Sequence, residues 1–218
     1  MILCIETATT NCSVALGKNG KLLALKEDYS KSYSHAERLH IFIEEILKEN
    51  EVQAKDLSAI AVSKGPGSYT GLRIGVSAAK GFCFALDLPL ISVPTLKSFA
   101  LQVKQEKDGF IIPLLDARRM EVYSAGFTSE NRQVFDTRAE ILTPDSFSKY
   151  LENAAVTFIG NGVEKFRNIC DHPNATFIED RLPSAAEMLI LAEEKLQKKK
   201  FEDVAYFEPY YLKDFQAG

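Results

Sequence analysis

Apolar positions recur along this chain with two periods, and the period sets the elements to expect. Residues 1–5 form a continuous apolar run, as in a strand covered on both faces. Residues 6–11 are polar and read as a turn, and 12–16 and 22–29 follow as strands. The latter two are joined by Lys18-Asn19-Gly20-Lys21, whose Asn-Gly pair signals a tight hairpin. Over 34–50 the period changes, with Leu39, Phe42, Ile43, Ile46 and Leu47 on one helical stripe. Ser34 with Glu37 three residues on fits a capping box. Residues 58–63 read as a buried strand, and a helix runs on to Leu86. A strand at 90–93 and a helix at 94–104 complete this half.

A second run follows the polar segment 106–109. Strands are expected at 110–115, 120–127 and 133–142, with a turn at 116–119. Then come a helix at 143–151, a strand at 156–159 ending at Gly160-Asn161-Gly162, a helix at 163–170 and a strand at 176–178. The last helix spans 184–200, with Met188, Leu189, Leu191, Ala192 and Leu196. The tail 201–218 carries Tyr206, Phe207, Tyr210, Tyr211 and Phe215 and is expected to pack back on the body.

The two halves echo each other in element order: three hairpin-linked strands, then helix and strand in alternation. This predicts an α/β fold of two actin-like, ribonuclease-H-like subdomains, each a mixed sheet with flanking helices. The expected division is 1–105, carrying the first two helices, and a smaller 106–218 with the returning tail.

Between the strand 58–63 and the second helix lies Lys64-Gly65-Pro66-Gly67-Ser68-Tyr69-Thr70-Gly71-Leu72-Arg73-Ile74-Gly75. Gly65, Gly67, Gly71 and Gly75 let the backbone turn sharply or let another chain approach closely. Neither phosphate-loop spacing fits. GxxxxGK[ST] fails because the sixth place holds Thr70 or Leu72, and GxGxxG fails at Thr70. Helix-start N–H groups can still hold an anion; a structural or partner-facing junction is the other reading. The helix beyond is apolar nearly all round. Leu72, Val76, Ala79, Cys83 and Leu86 make one face, Ile74, Ala78, Phe82 and Ala85 widen it, and Phe84 lies on a third side. Such a helix is buried on both sides, by its own chain or by a second one.

Composition narrows the classes. A net charge of −4 argues against a basic field for autonomous nucleic-acid binding. The cysteines Cys4, Cys12, Cys83 and Cys170 form no CxxC pair, which points to buried reduced thiols rather than a zinc site or disulfide framework. No signal peptide is read at the N-terminus, and no run reaches the ~20 apolar residues of a membrane span. His35 and His40 lie about 140° apart on a helix, unsuited to a shared metal, and His172 is isolated; exposed or capping imidazoles are expected. Glu6 and Asp116 end equivalent strands of the two halves. Such a pair can hold a hydrated Mg²⁺ in a nucleotide cleft, or simply form turns.

Five stretches resemble the TsaB (YeaZ) family: Ile5-Glu6-Thr7-Ala8, Ser34-His35-Ala36-Glu37-Arg38-Leu39, the glycine stretch, Asp116-Ala117-Arg118-Arg119-Met120-Glu121-Val122-Tyr123, and Tyr210-Tyr211-Leu212-Lys213. The resemblance implies two actin-like (ASKHA) domains in a cytoplasmic, non-catalytic paralogue of TsaD. TsaD transfers a threonylcarbamoyl group from an adenylate to the adenosine beside the anticodon of ANN-decoding tRNAs. The implied partners are TsaD, bound through the first two helices, and the ATPase TsaE. A homodimer through the same surface is also implied, with tRNA reached only through the complex, and no cofactor or metal. TsaD holds its metal through an HxxxH pair that this chain lacks. Carried onto this sequence, the partner face comprises Leu39, Phe42, Ile43, Arg73, Ile74, Ala78 and Phe82. The alternative is an actin-like nucleotide hydrolase or kinase acting alone through Glu6 and Asp116.

Overall fold

The computed structural model describes residues 1–29, 34–104 and 108–213. It contains two five-stranded sheets built to one plan. In the first, β1 (Ile2–Glu6), β2 (Cys12–Lys18) and β3 (Lys21–Asp28) form an antiparallel meander, and β4 (Ala59–Ser63) and β5 (Leu90–Val93) add in parallel on the other side of β1. The strand order is β3-β2-β1-β4-β5. In the second, β6 (Gly109–Asp116), β7 (Glu121–Thr128) and β8 (Gln133–Ile141) form the meander, and β9 (Ala155–Ile159) and β10 (Ala175–Ile178) the parallel extension. Its order, β8-β7-β6-β9-β10, repeats the first. Glu6 and Asp116 therefore end equivalent central strands.

The chain divides into one unit of 1–98 with 183–218 and another of 99–182. This differs from a boundary at 105–106, which lies outside the described residues. The difference is α6 (Ala185–Gln197), which returns to the first sheet. Its Ala185, Met188, Leu189 and Ala192 pack on Ile2, Cys4, Ala15 and Ile91. The fully buried Asn11 secures its approach by donating from Nδ2 to the Pro183 carbonyl at 2.9 Å. The Ala185 N–H donates to Ser13 Oγ at 2.9 Å.

The continuous apolar run of β1 follows from this sandwich. Alternate side chains of a strand point to opposite faces. Leu3 and Ile5 meet α1 (His35–Glu49) and α2 (Tyr69–Leu86), whereas Ile2 and Cys4 meet α6. The hairpin after β2 turns at Asn19 and Gly20, both at positive φ, as a primed turn requires. All four cysteines are free and buried, and burial pushes the Cys12 thiol up to about 12 and Cys83 to about 11.

In the second unit, Ile112, Leu114, Val156 and Phe158 pack on α4 (Ser148–Leu151) and α5 (Val163–Arg167). The expected helix at 143–151 is shortened to α4. Ser146 Oγ accepts from the Thr143 N–H at 3.0 Å and closes a local turn, and Phe147 follows at positive φ, where no helix can continue. The helix α3 (Thr95–Ala100), which begins in the first unit, likewise ends before the expected 104.

The described tail returns along the first unit. The Glu202 N–H donates to the Leu90 carbonyl at 2.9 Å, and the Tyr210 N–H donates to the Lys64 carbonyl at 2.7 Å. Tyr211 lies on Tyr69 with ring centroids 4.8 Å apart. Tyr206, expected to pack, is 84% exposed, and Phe215 lies outside the described residues.

Candidate functional site

The glycine stretch packs on the turn that follows β1. The Ser68 N–H donates to the Ala8 carbonyl at 2.7 Å, and Ser68 Oγ caps α2 by accepting from the Gly71 N–H at 3.2 Å. A side chain at Gly67 would collide with Ala8, one at Gly71 with the Thr7 carbonyl, and one at Gly75 with Thr7 Oγ1. Gly65 sits at φ +108°, a region L side chains rarely adopt, with the Tyr210 carbonyl against it. Of the N–H groups at this junction, Ser68's goes to the Ala8 carbonyl and Gly71's to Ser68 Oγ rather than to an anion. The glycines serve close packing of α2 on the β1 turn.

Glu6 lies beneath this junction, fully buried. Its Oε1 accepts from the Ala8 N–H at 2.6 Å and from Ser63 Oγ at 2.8 Å, while Oε2 has no hydrogen-bond partner among the described residues. Burial pushes its carboxyl up to about 7, against the opposing pull of the Ala8 N–H and the Ser63 hydroxyl. Asp116 is exposed, and its Oδ1 accepts from the Arg118 N–H at 2.6 Å and Lys165 Nζ at 2.7 Å. Each acid is thus engaged within its own unit. Glu6 has no access to solvent, and the hydrolase reading finds no support in its geometry. Among the described residues, no cluster of three or more His, Cys, Asp or Glu side chains could hold a metal.

The Glu6 carboxyl has a consequence for stability. Its pKa in the folded chain lies above the ordinary 4.5. Its contribution is therefore full below the ordinary value and is lost as pH rises through about 7. The expected difference is ~3 kcal/mol between about pH 5 and about pH 8. Urea unfolding at both pH values should show this loss in the native chain and a much flatter dependence in Glu6→Gln; identical slopes would remove Glu6 as the linked group.

His35 departs from expectation. It is buried rather than exposed or capping, and Nε2 bonds to the Thr9 carbonyl at 2.7 Å. Burial lowers its pKa. Its spacing of four before Leu39 places it on the apolar stripe, the signal that marks it as interior. Ser34 does not cap α1 with its side chain; its hydroxyl donates to Asp28 at 2.8 Å.

The expected partner-facing residues separate into two groups. Leu39, Phe42, Ile43 and Ala78 are buried in the chain's own core with Ile5, Val14 and Val62, so they shape the helix pair from beneath. Arg73 is exposed, and Ile74 and Phe82 are half-buried at its surface. The solvent side of α2 carries Ser77, Gly81, Phe84 and Ala85, all exposed. Phe84 is 86% exposed, and nothing lies within 4 Å of a Cβ placed at Gly81. On one flank His40 of α1 approaches Phe82, with ring centroids 6.2 Å apart. On the other, Lys80 Nζ donates to the Ala205 and Phe207 carbonyls at 3.0 and 3.1 Å. There an open groove of about 670 Å³ is lined by Lys80, Gly81, Phe84, Asp203, Val204 and Ala205. An exposed aromatic beside small residues on an uncharged strip suits close approach by an apolar helix of another chain.

Comparison with known proteins finds relatives over nearly the whole chain. The family described as "TsaD: tRNA N6-adenosine threonylcarbamoyltransferase" matches residues 30–218. The tRNA threonylcarbamoyladenosine biosynthesis protein TsaB of Escherichia coli is 30% identical, over 98% of this chain and 94% of that protein. The protein of the same name from Bacillus subtilis is 31% identical, over 99% of this chain and 95% of its own length. The solved structure of YeaZ from Pseudomonas aeruginosa superposes with a TM-score of 0.81 at 27% identity, covering 97% of this chain and 99% of that one.

Proposed function

The chain belongs to the TsaB family, and from that premise we propose that it serves tRNA threonylcarbamoyladenosine synthesis as a non-catalytic subunit that binds and activates TsaD. The observation that carries the docking part is the solvent face of α2. A helix with Phe84, Gly81 and Ala85 open to water is an incomplete layer. A second chain that lays apolar helices against it completes a helical bundle with α1 and α2. The non-catalytic part is supported by Glu6, sealed from solvent, and by Asp116, held by Lys165. TsaE joins the resulting assembly, and tRNA enters with TsaD. A homodimer through the same face competes with TsaD for it.

Reconstitution tests the reading. Threonylcarbamoyl transfer to unmodified tRNA is measured with TsaD, TsaE and the adenylate-forming enzyme, with and without this chain. Transfer that depends on the chain, together with co-elution of chain and TsaD, is expected. Equal transfer without it overturns the activating role, and turnover of ATP by the chain alone overturns the non-catalytic one.

A further inference from the structure

The negative overall charge hides a local excess of lysines around β5, the edge strand of the first sheet. β1, β4 and β5 run parallel, so their carboxyl ends lie together. Lys64 directly follows β4, and its N–H donates to the Val93 carbonyl at the end of β5 at 2.9 Å. Lys97 lies in α3, which follows β5. Lys195, near the end of α6, donates from Nζ to the Ser92 carbonyl at 2.7 Å and to Ser92 Oγ at 3.2 Å. The Lys200 N–H closes back on the Lys195 carbonyl at 2.9 Å.

Electrostatics agrees with the backbone geometry. Burial lowers the Lys195 pKa first, Glu202 opposes this, and Lys64, Lys200 and Lys97 each lower it further. Lys195 thus lies near three other ammonium groups and near the Glu202 carboxylate, which accepts from Ser92 Oγ. Among the described residues, none of the four lysines forms an ion pair. Like charges held together in excess of their counter-charge raise the local potential and attract a polyanion.

We propose that Lys64, Lys97, Lys195 and Lys200 form a contact site for the phosphodiester backbone of RNA. The tRNA-modification reading enters only in the choice of RNA as the polyanion. The chain therefore contributes phosphate contacts of its own, sequence-independent and weak in isolation.

Binding of fluorescein-labelled unmodified tRNA to the full chain, read by anisotropy across a salt series, tests this. Lys64→Gln/Lys97→Gln/Lys200→Gln spares Lys195, which holds Ser92. Its control is Lys18→Gln/Lys21→Gln/Lys55→Gln, exposed lysines at the opposite end of the same sheet, with the same change in net charge. The native chain should bind with a Kd of about 1–100 µM at low salt. The cluster variant should lose at least about tenfold in affinity, and its slope of log K against log salt should fall by about 2–3. The control should lose less than about twofold. No binding by the native chain, equal losses in both variants, or no loss in the cluster variant would overturn the site. Displacement of tRNA by millimolar inorganic phosphate at matched ionic strength would assign a single-phosphate pocket instead and also overturn it. Co-elution with TsaD is scored in parallel on the same variants, so failure of the docking reading leaves this result legible.

Discussion

Phe84→Glu is expected to weaken association with TsaD by ~30-fold or more while leaving the fold intact. A ring that is 86% exposed contributes little to the chain's own core, so its removal should shift stability by no more than ~0.5 kcal/mol. If an apolar helix covers it in the complex, the same ring is a central aromatic anchor, and such residues cost about 2 kcal/mol or more on truncation. A carboxylate there adds the cost of desolvating a charge. Gly81→Leu provides the independent arm. It inserts bulk where nothing lies within 4 Å and should block close helix approach without disturbing the monomer. Calorimetric titration with purified TsaD, beside thermal unfolding, reads both effects. Native affinity in both variants would place the interface elsewhere. Ala78→Glu cannot serve this purpose, because Ala78 lies on the buried face of α2 and a charge there attacks the fold itself.

The second large effect separates two glycines of the same helix. Gly71→Ala should destabilise by ~2–3 kcal/mol, lowering the thermal midpoint by roughly 5–10 °C. Its Cβ would collide with the Thr7 carbonyl, and backbone at the end of a central strand cannot give way as a flexible side chain can. Gly81→Ala should do the opposite. With open space around it, alanine removes the entropic penalty of a helix-interior glycine and should gain ~0.5–1 kcal/mol, about 1–4 °C. Differential scanning calorimetry on the two variants decides the matter. If both shift the midpoint alike, the close approach of α2 to the β1 turn is not what the glycine stretch provides.

The binary pattern of the chain was enough to place most elements. The unbroken apolar run of β1 and the stripe through Leu39, Phe42 and Ile43 each have one structural solution, because a buried strand and an amphipathic helix bury different periodicities. The Asn19-Gly20 hairpin was equally local, set by the positive φ that those two residues tolerate. The duplication was legible as element order, and the family as short motifs in sequence.

What the pattern does not carry is the destination of each apolar face. The stripe of α6 was visible in Met188, Leu189 and Ala192, but only the tertiary structure sends it across to the first sheet. The same holds for α2. Its sequence showed a helix apolar nearly all round, and tertiary packing decided that Ala78 faces inward while Gly81 and Phe84 face water. Glu6 reads from sequence as a strand-end acid fit for a metal. Its raised pKa comes from burial beneath the glycine junction, opposed by the hydrogen bond from Ser63, groups tens of residues away. The lysines gathered around β5 are likewise scattered in the chain and adjacent only in the fold. Local periodicity and turn chemistry are properties of neighbouring residues, so the sequence alone determines them. Burial, close approach and electrostatic potential sum over residues distant in the chain, so only the folded structure decides them.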